Sequence, residues 1–203
     1  MEIVPAFPIP IGLTELGRSL TEQELRYIDS LKTKSHAASG NRTTDNKYIL
    51  DKPHLRQLKS ELESFVSEFF HLAWSPKNNS VDVYITQSWL TWIGKGQFHT
   101  PHSHPNSLIS GTFYVQSGPN DAIAFNNDRN ARADILIFEE TTNQYNCLKI
   151  VEPTPAGSIK LFPSKIFHEV SPKEDDYSRC CLAFNTWMKG TIGSSETSTE
   201  LIL

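Results

Sequence analysis

The sequence predicts a mainly β protein, in which two helices precede about eight core strands arranged as a double-sheet jelly roll. Two observations along the chain of 203 residues support this fold class. Apolar residues recur every three or four positions before residue 80, and every second position from there to residue 190. Clusters of Gly, Pro, Asn and Asp separate the short β-rich runs, and no helical pattern lies between them. Such closely spaced strands are typical of a sandwich or a barrel.

Two amphipathic helices are predicted in the first 80 residues. Thr21 and Glu24 form a capping box at the start of the first helix. The polar, Gly-containing stretch 32–47 that follows this helix is predicted to be an irregular loop. The second helix is expected to have Asp51 as its N-cap and Pro53 in its first turn.

The length predicts a single domain over residues 1–203. We divide it into an extended lead with two supporting helices (1–80), a jelly-roll core (81–190) and a flexible polar tail (191–203). The predicted core strands are 81–92, 108–116, 122–126, 135–138, 147–151, 158–162, 167–170 and 179–187.

Net charge and cysteine content exclude several classes of protein. The formal net charge is −4 and the basic residues are scattered, so nucleic acid and anionic membrane surfaces are not expected partners. No apolar run approaches the roughly 18 residues of a membrane span, and no secretory signal pattern opens the sequence. Cys147, Cys180 and Cys181 are interpreted as small buried residues of a protein in a reducing compartment.

Four of the seven histidines are candidate metal ligands. His102 and His104 are two positions apart, so on a strand they would share one face, whereas His99 need not. Neutral imidazole binds Fe, Zn, Cu and Ni, and His168, at the end of another predicted strand, is the obvious further ligand. The alternative is a set of solvated or capping histidines in a loop. No Asp or Glu occurs between residues 83 and 120, so this segment offers no carboxylate ligand.

Arg179 begins an otherwise apolar predicted strand. A buried guanidinium needs an anionic partner, and its planar fork fits a carboxylate with two hydrogen bonds. That partner is either a bound ligand or a carboxylate of the chain itself. Three residues could form such an ordinary ion pair: Glu169, Asp175 and Asp176.

Three segments, HSHPNSLISGTFYV, PTPAGSIKLFPSKIFHEVSP and SRCCLAFN, occur in this order within residues 89–187. Together they closely resemble a family of 2-oxoglutarate/Fe(II)-dependent oxygenases found in bacteria and phages. The resemblance implies a double-stranded β-helix, a cupin-like jelly roll, which agrees with the strand count. It also implies an enzyme that uses Fe(II), 2-oxoglutarate and O2 to hydroxylate a C–H bond, with release of succinate and CO2.

The resemblance also implies roles for individual residues. His102 and His104 occupy the positions of the family's HxD/E element, His168 is the distal iron ligand, and Arg179 binds the far carboxylate of 2-oxoglutarate. No catalytic residue is expected beyond the metal ligands. Histidine at position 104 departs from the family pattern, because most of the superfamily has a carboxylate there. The metal site then either has one negative charge fewer, or has only two protein ligands if His104 turns away. Two further residues are candidate contacts of the cosubstrate, or else satisfied polar groups of a turn and a strand: Asn185 and Ser110.

Two other functions remain open at this stage. A three-histidine jelly roll also resembles cupin-type thiol dioxygenases, which need no 2-oxoglutarate, and a non-enzymatic jelly-roll binding module is a third interpretation. We expect a small-molecule or peptide substrate and a cytoplasmic location, in the host cytoplasm if a phage encodes the chain. The loop 32–47 either attracts an acidic or extended substrate or is simply solvated, since it carries four basic residues: Lys32, Lys34, Arg42 and Lys47.

Overall fold

The computed structural model describes residues 1–5, 7–36, 38–77, 81–127 and 140–203. Its two α-helices within these ranges are α1 (Glu22–Asp29) and α2 (Arg56–Trp74). None of the helices in the described part of the chain is long and apolar enough to cross a membrane. The strands are β1 (Gly12–Glu15), β2 (Thr33–Ser35), β3 (Arg42–Thr44), β4 (Val81–Ile93), β5 (His99–His102), β6 (Ile109–Gln116), β7 (Ala122–Asn126), β8 (Lys149–Pro153), β9 (Ser158–Pro163), β10 (His168–Val170), β11 (Arg179–Ile192) and β12 (Leu201–Ile202).

The strands form two antiparallel sheets. The large sheet has the order β1-β9-β6-β11-β4-β3-β2, with β12 paired to β11, and the small sheet has the order β5-β10-β7-β8. Strands that follow one another along the chain alternate between the two sheets over most of the core, as from β4 to β5 and from β9 to β10. This arrangement is a double-stranded β-helix, so the predicted fold class is confirmed.

The large sheet separates two layers of buried side chains. On its outer face α2 packs against the central strands, and Leu62, Leu90 and Leu182 there have no exposed surface. Side chains on this face pack tightly, because a Cβ added at Gly111 would lie 2.2 Å from the ring of its β11 neighbour Phe184. The inner face, which we define as the face toward the small sheet, packs against β7 in a second cluster: Ile123, Phe125, Phe162 and Ile166.

The first predicted helix is confirmed, with both hydrogen bonds of the Thr21–Glu24 capping box. The second begins later than predicted, at Arg56, after two short 3-10 turns (Ile49–Asp51 and Pro53–Leu55). Asp51 does not cap it and instead accepts a hydrogen bond from Nζ of Lys59 at 2.7 Å. The reason is the proline: the residue before it, Lys52, is extended at ψ 143°, as steric contact with a proline ring favours.

The irregular loop predicted for residues 32–47 is wrong. Residues 33–44 contain the β2–β3 hairpin, in which Thr33 pairs with Thr44, and β3 adds to the edge of β4. β-branched threonines suit such an edge, but three-residue strands show no alternation that sequence analysis can detect. The predicted strand 135–138 lies outside the described residues. The tail, expected to be flexible, folds back so that β12 pairs with the end of β11.

Candidate metal centre

Two strands and one loop bring three histidines together. His102 ends β5 and His168 begins β10, and the two are register partners across the small sheet. His104 lies beyond the end of β5, so it does not share a strand with His102 as predicted. Its backbone N–H donates to the carbonyl of Ser164 at 2.9 Å, which ties this loop to the turn before His168. The predicted cluster therefore forms, although by a different local geometry.

The three imidazoles converge closely enough to share one ion. One ligand atom from each of His102, His104 and His168 lies within 4.8 Å of the others. The Nε2 atoms of His104 and His168 are 3.2 Å apart. Two nitrogens each about 2.1 Å from one metal, at right angles, would be separated by about 3 Å. The donor set thus fits a divalent transition metal without rearrangement of this pair.

The other nitrogens of these rings have partners in the chain. Nδ1 of His102 lies 2.8 Å from the carbonyl oxygen of Thr100, and Nδ1 of His168 lies 3.1 Å from that of Ile166. A ring that donates from Nδ1 presents an unprotonated Nε2, which is the tautomer that a metal requires. The ring of His104 has a side-chain hydrogen-bonding contact with Asn185. Backbone and amide groups therefore orient all three rings.

Burial keeps His104 and His168 in the protonation state that binds a metal. Desolvation, followed by repulsion from a charged His102, lowers the pKa of His168 to about 3 and that of His104 to about 4. His99 lies beside the cluster with its ring centroid 4.6 Å from that of His102, and desolvation lowers the pKa of His99 to about 4. At neutral pH these imidazoles are uncharged and can donate lone pairs.

Arg179 lies on the inner face of the large sheet and is 2 % exposed. Its guanidinium donates to the carbonyl of Ala122 at 2.9 Å and to the hydroxyl of Tyr114 at 3.4 Å, and its Nε has no hydrogen-bond partner. Within the described chain no carboxylate forms an ion pair with it. The three carboxylates considered as partners pair with other cations: Glu169 with Lys149, Asp175 with Lys173 and Asp176 with Lys95. A buried cation without an anion fits the carboxylate of a ligand.

Tyr114 is a residue of this region that the sequence analysis did not identify. Its hydroxyl oxygen accepts hydrogen bonds from Thr112 at 3.0 Å and from Arg179. Complete burial raises its pKa to about 12, so the phenol keeps its proton and can donate it. The signal was available in the alternation of β6, because Ser110, Thr112 and Tyr114 fall on one face of the strand.

Ser110 and Asn185 belong to a buried hydrogen-bonded chain beside His104. The Ser110 hydroxyl lies 2.8 Å from that of Ser164 and 3.0 Å from Oδ1 of Asn185. The amide of Asn185 donates to Oε1 of Gln87 at 3.3 Å. Because these polar groups already have partners, their geometry favours support of the His104 loop, and contact with a cosubstrate stays a prediction.

A family comparison agrees with this architecture. Residues 87–185 match the family model described as "Putative 2OG-Fe(II) oxygenase". No curated protein matches the sequence.

Several solved structures share the fold at low sequence identity. A prolyl-4-hydroxylase from Pseudomonas putida is 13 % identical with a TM-score of 0.56, covering 87 % of this chain and 92 % of that one. HygX from Streptomyces hygroscopicus, crystallised with nickel, 2-oxoglutarate and hygromycin B, is 11 % identical with a TM-score of 0.57 over 88 % and 82 % of the two chains. A 2OG-Fe(II) oxygenase family oxidoreductase from Burkholderia pseudomallei is 11 % identical, with a TM-score of 0.56 over 79 % and 74 %.

A double-stranded β-helix with a convergent histidine cluster defines a metal-dependent jelly-roll enzyme. The match over residues 87–185 gives the particular class: this segment, which includes the three histidines and Arg179, matches the 2OG-Fe(II) oxygenase family. Enzymes of this family use Fe(II), 2-oxoglutarate and O2.

Proposed function

We propose that this oxygenase hydroxylates a C–H bond of a small-molecule or peptide substrate, with release of succinate and CO2. The observation that carries the proposal is that two incomplete sites both lie between the two sheets. Among the described residues, three imidazoles converge without a metal-binding carboxylate, and the buried Arg179 guanidinium has no anionic partner. A dicarboxylate that chelates a metal at one end and meets a guanidinium at the other satisfies both.

In this proposal the metal is held by Nε2 of His102, His104 and His168. When bound, Fe(II) with 2-oxoglutarate and O2 supplies the oxidising equivalents for substrate hydroxylation and cosubstrate decarboxylation. Backbone carbonyls fix the tautomers of His102 and His168, and Asn185 orients His104. All three ligands are neutral, so the protein leaves the full charge of the metal available to bind an anionic cosubstrate.

Arg179 and Tyr114 would fix the far end of the cosubstrate. The guanidinium lies over the Tyr114 ring, with Cζ 4.9 Å from the ring centroid. The Tyr114 hydroxyl is an acceptor for Arg179 and Thr112, which leaves its own proton for a carboxylate oxygen. Trp89, stacked on His104, and Phe162, 4.7 Å from the His168 ring, would shield the reacting centre from water.

A cytoplasmic location is part of the same proposal. Cys147, Cys180 and Cys181 are all free thiols, and burial raises the pKa of the Cys181 thiol, which keeps it unreactive. Unpaired cysteines are usual in a reducing compartment.

The two alternative functions are not favoured, because a 2-oxoglutarate-independent dioxygenase or a binding module would not need the unpaired Arg179.

Succinate formation by the purified chain with Fe(II), 2-oxoglutarate and O2 tests this function. We expect slow turnover without substrate, and its loss in His168→Ala together with loss of iron binding. His71→Ala, on the outer helix, is the matched control and should leave both unchanged. Iron-dependent succinate formation by His168→Ala at the normal rate would contradict the proposed ligand set. Tight iron binding without any effect of 2-oxoglutarate would favour the 2-oxoglutarate-independent alternative.

A further inference from the structure

The β2–β3 hairpin extends the inner face of the large sheet beyond β4. Lys34 pairs with Thr43, Thr43 with Thr91, and Thr91 with Cys181, so these four side chains share one face. That face also carries Trp89 and, further along β11, Arg179. The hairpin therefore extends the sheet face that carries Trp89, whose ring stacks on His104 of the histidine cluster.

The hairpin is held firmly against the segment that leads into the cluster. Nε2 of Gln97 donates to the carbonyl of Gly40 at 2.7 Å, and Nδ2 of Asn41 lies 3.4 Å from the carbonyl of Phe98. His99 follows directly in the sequence. Groups on the hairpin thus keep a defined position relative to the proposed metal ligands.

Lys47 at the base of the hairpin lies one indole ring away from a proposed ligand. Its Nζ is 5.9 Å from the centroid of the Trp89 ring, and that ring stacks on His104 at 5.7 Å with an interplanar angle of 23°. Two of the ammonium donors go to Oγ1 of Thr43 and the carbonyl of Thr44, at 2.9 and 2.8 Å. An ammonium has three donors, so one remains for another acceptor.

The electrostatic environment of Lys34 and Lys47 is positive. Residues 32–47 contain four basic residues and one acidic residue, although the chain has a net charge of −4. Burial and the neighbouring charge of Lys34 lower the pKa of Lys47, and Asp45 on the same loop opposes them. In the described part of the chain neither lysine forms an ion pair, and Lys95, near the hairpin tip, is already paired with Asp176. The segment 83–120, which includes the part of β4 that pairs with the hairpin, has no acidic residue.

We propose that Lys34 and Lys47 form a subsite for an anionic group of the substrate, a carboxylate or a phosphate. The apolar part of the substrate contacts the part of the Trp89 side chain that stays exposed, and its reacting carbon then faces the three histidines. This inference rests on the proposed function and adds the substrate class to it. Bare solvation of the two lysines is the alternative that the experiment must exclude.

Fluorine NMR of the full chain labelled with fluorotryptophan tests the subsite without catalysis. The chain has four tryptophans, and Trp89→Phe assigns the relevant resonance. The probes are phenylpropanoate, phenyl phosphate and the neutral phenylpropanamide. We expect saturable shifts of the Trp89 resonance with the anionic probes, and binding of the amide at least about tenfold weaker. The anionic probe that binds more tightly identifies the anionic group of the substrate as a carboxylate or a phosphate.

Charge variants complete the test. Lys34 is exposed, so Lys34→Glu is not expected to disturb folding. It should weaken the binding of both anionic probes by about tenfold or more. Lys47→Gln should weaken the binding of the anionic probes by a similar factor. Lys189→Glu, on the far end of β11, is the control and should leave their binding unchanged. Equal affinity for the amide and the anions, or no change in Lys34→Glu, would overturn the subsite. Because no metal or 2-oxoglutarate is needed, failed succinate formation with intact anion binding would refute only the proposed reaction.

Discussion

Replacing Arg179 by Met tests whether this cation serves a ligand or the fold. The side chain is 2 % exposed and contacts neutral groups, namely the carbonyl of Ala122, the hydroxyl of Tyr114 and the thiol of Cys181. A lost hydrogen bond from a charged donor costs about 1.5–3 kcal/mol, whereas desolvation of an unpaired ion costs several kcal/mol. The two effects oppose each other, so we expect the free energy of unfolding of the metal-free protein to fall by less than about 2 kcal/mol, or to rise.

Cosubstrate binding should change far more than stability. Removing one partner of a buried, hydrogen-bonded charge pair costs about 2–5 kcal/mol, and 3 kcal/mol corresponds to a factor of about 150 in affinity. The KM for 2-oxoglutarate in succinate formation should therefore rise by about 100-fold in Arg179→Met. Iron affinity, measured in the absence of 2-oxoglutarate, should stay unchanged because Arg179 is not a proposed ligand.

Lys173→Met is the matched control for a buried cation that does have a carboxylate partner. Its Nζ lies 2.6 Å from Oδ1 of Asp121, and both side chains are nearly inaccessible. Breaking this pair leaves a buried carboxylate without its cation and should cost about 3–5 kcal/mol in urea-induced unfolding. The reasoning is refuted if Arg179→Met destabilises the protein as much as Lys173→Met and leaves the KM for 2-oxoglutarate at its original value.

Three further predictions concern the metal ligands and the core. His104→Ala should weaken Fe(II) binding by more than about 100-fold in a competition titration, and Ser103→Ala should not. Burial lowers the pKa of His168 to about 3 in the folded protein, whereas a histidine of the unfolded chain has a pKa of about 6.5. Below pH about 6.5 the unfolded chain therefore binds more protons than the folded protein. The contribution of His168 to stability is complete above that pH and is lost as the pH falls. Urea unfolding of the metal-free protein should show a loss of about 2 kcal/mol at pH 5 that His168→Gln lacks; equal profiles would contradict it. Gly111→Ala should destabilise the protein by about 1–3 kcal/mol through overpacking and so lower its Tm, because the added Cβ would meet Phe184 at 2.2 Å. Gly94→Ala, with its nearest contact at 3.6 Å, should leave the Tm unchanged.

The long strands and the identity of the histidines were predictable because they depend on local patterns. Period-two apolar residues place β4, β6, β9 and β11 within a few residues of their observed bounds, since one face of each strand is buried. The short strands β1, β2, β3 and β5 were not predicted. Three or four residues carry too little alternation, and these segments become strands because a neighbouring strand offers unpaired backbone groups.

The sequence by itself determined the mainly β class, the three histidines and the arginine, because residue type and spacing are properties of the chain. Only the tertiary structure decided that a strand end, a loop and a second strand bring His102, His104 and His168 within 4.8 Å. It also decided that Tyr114 contacts Arg179, and that the available carboxylates pair with lysines instead. The physical reason is that the partner of a buried polar group is chosen by distance and desolvation across sheets, and neither is encoded in local sequence.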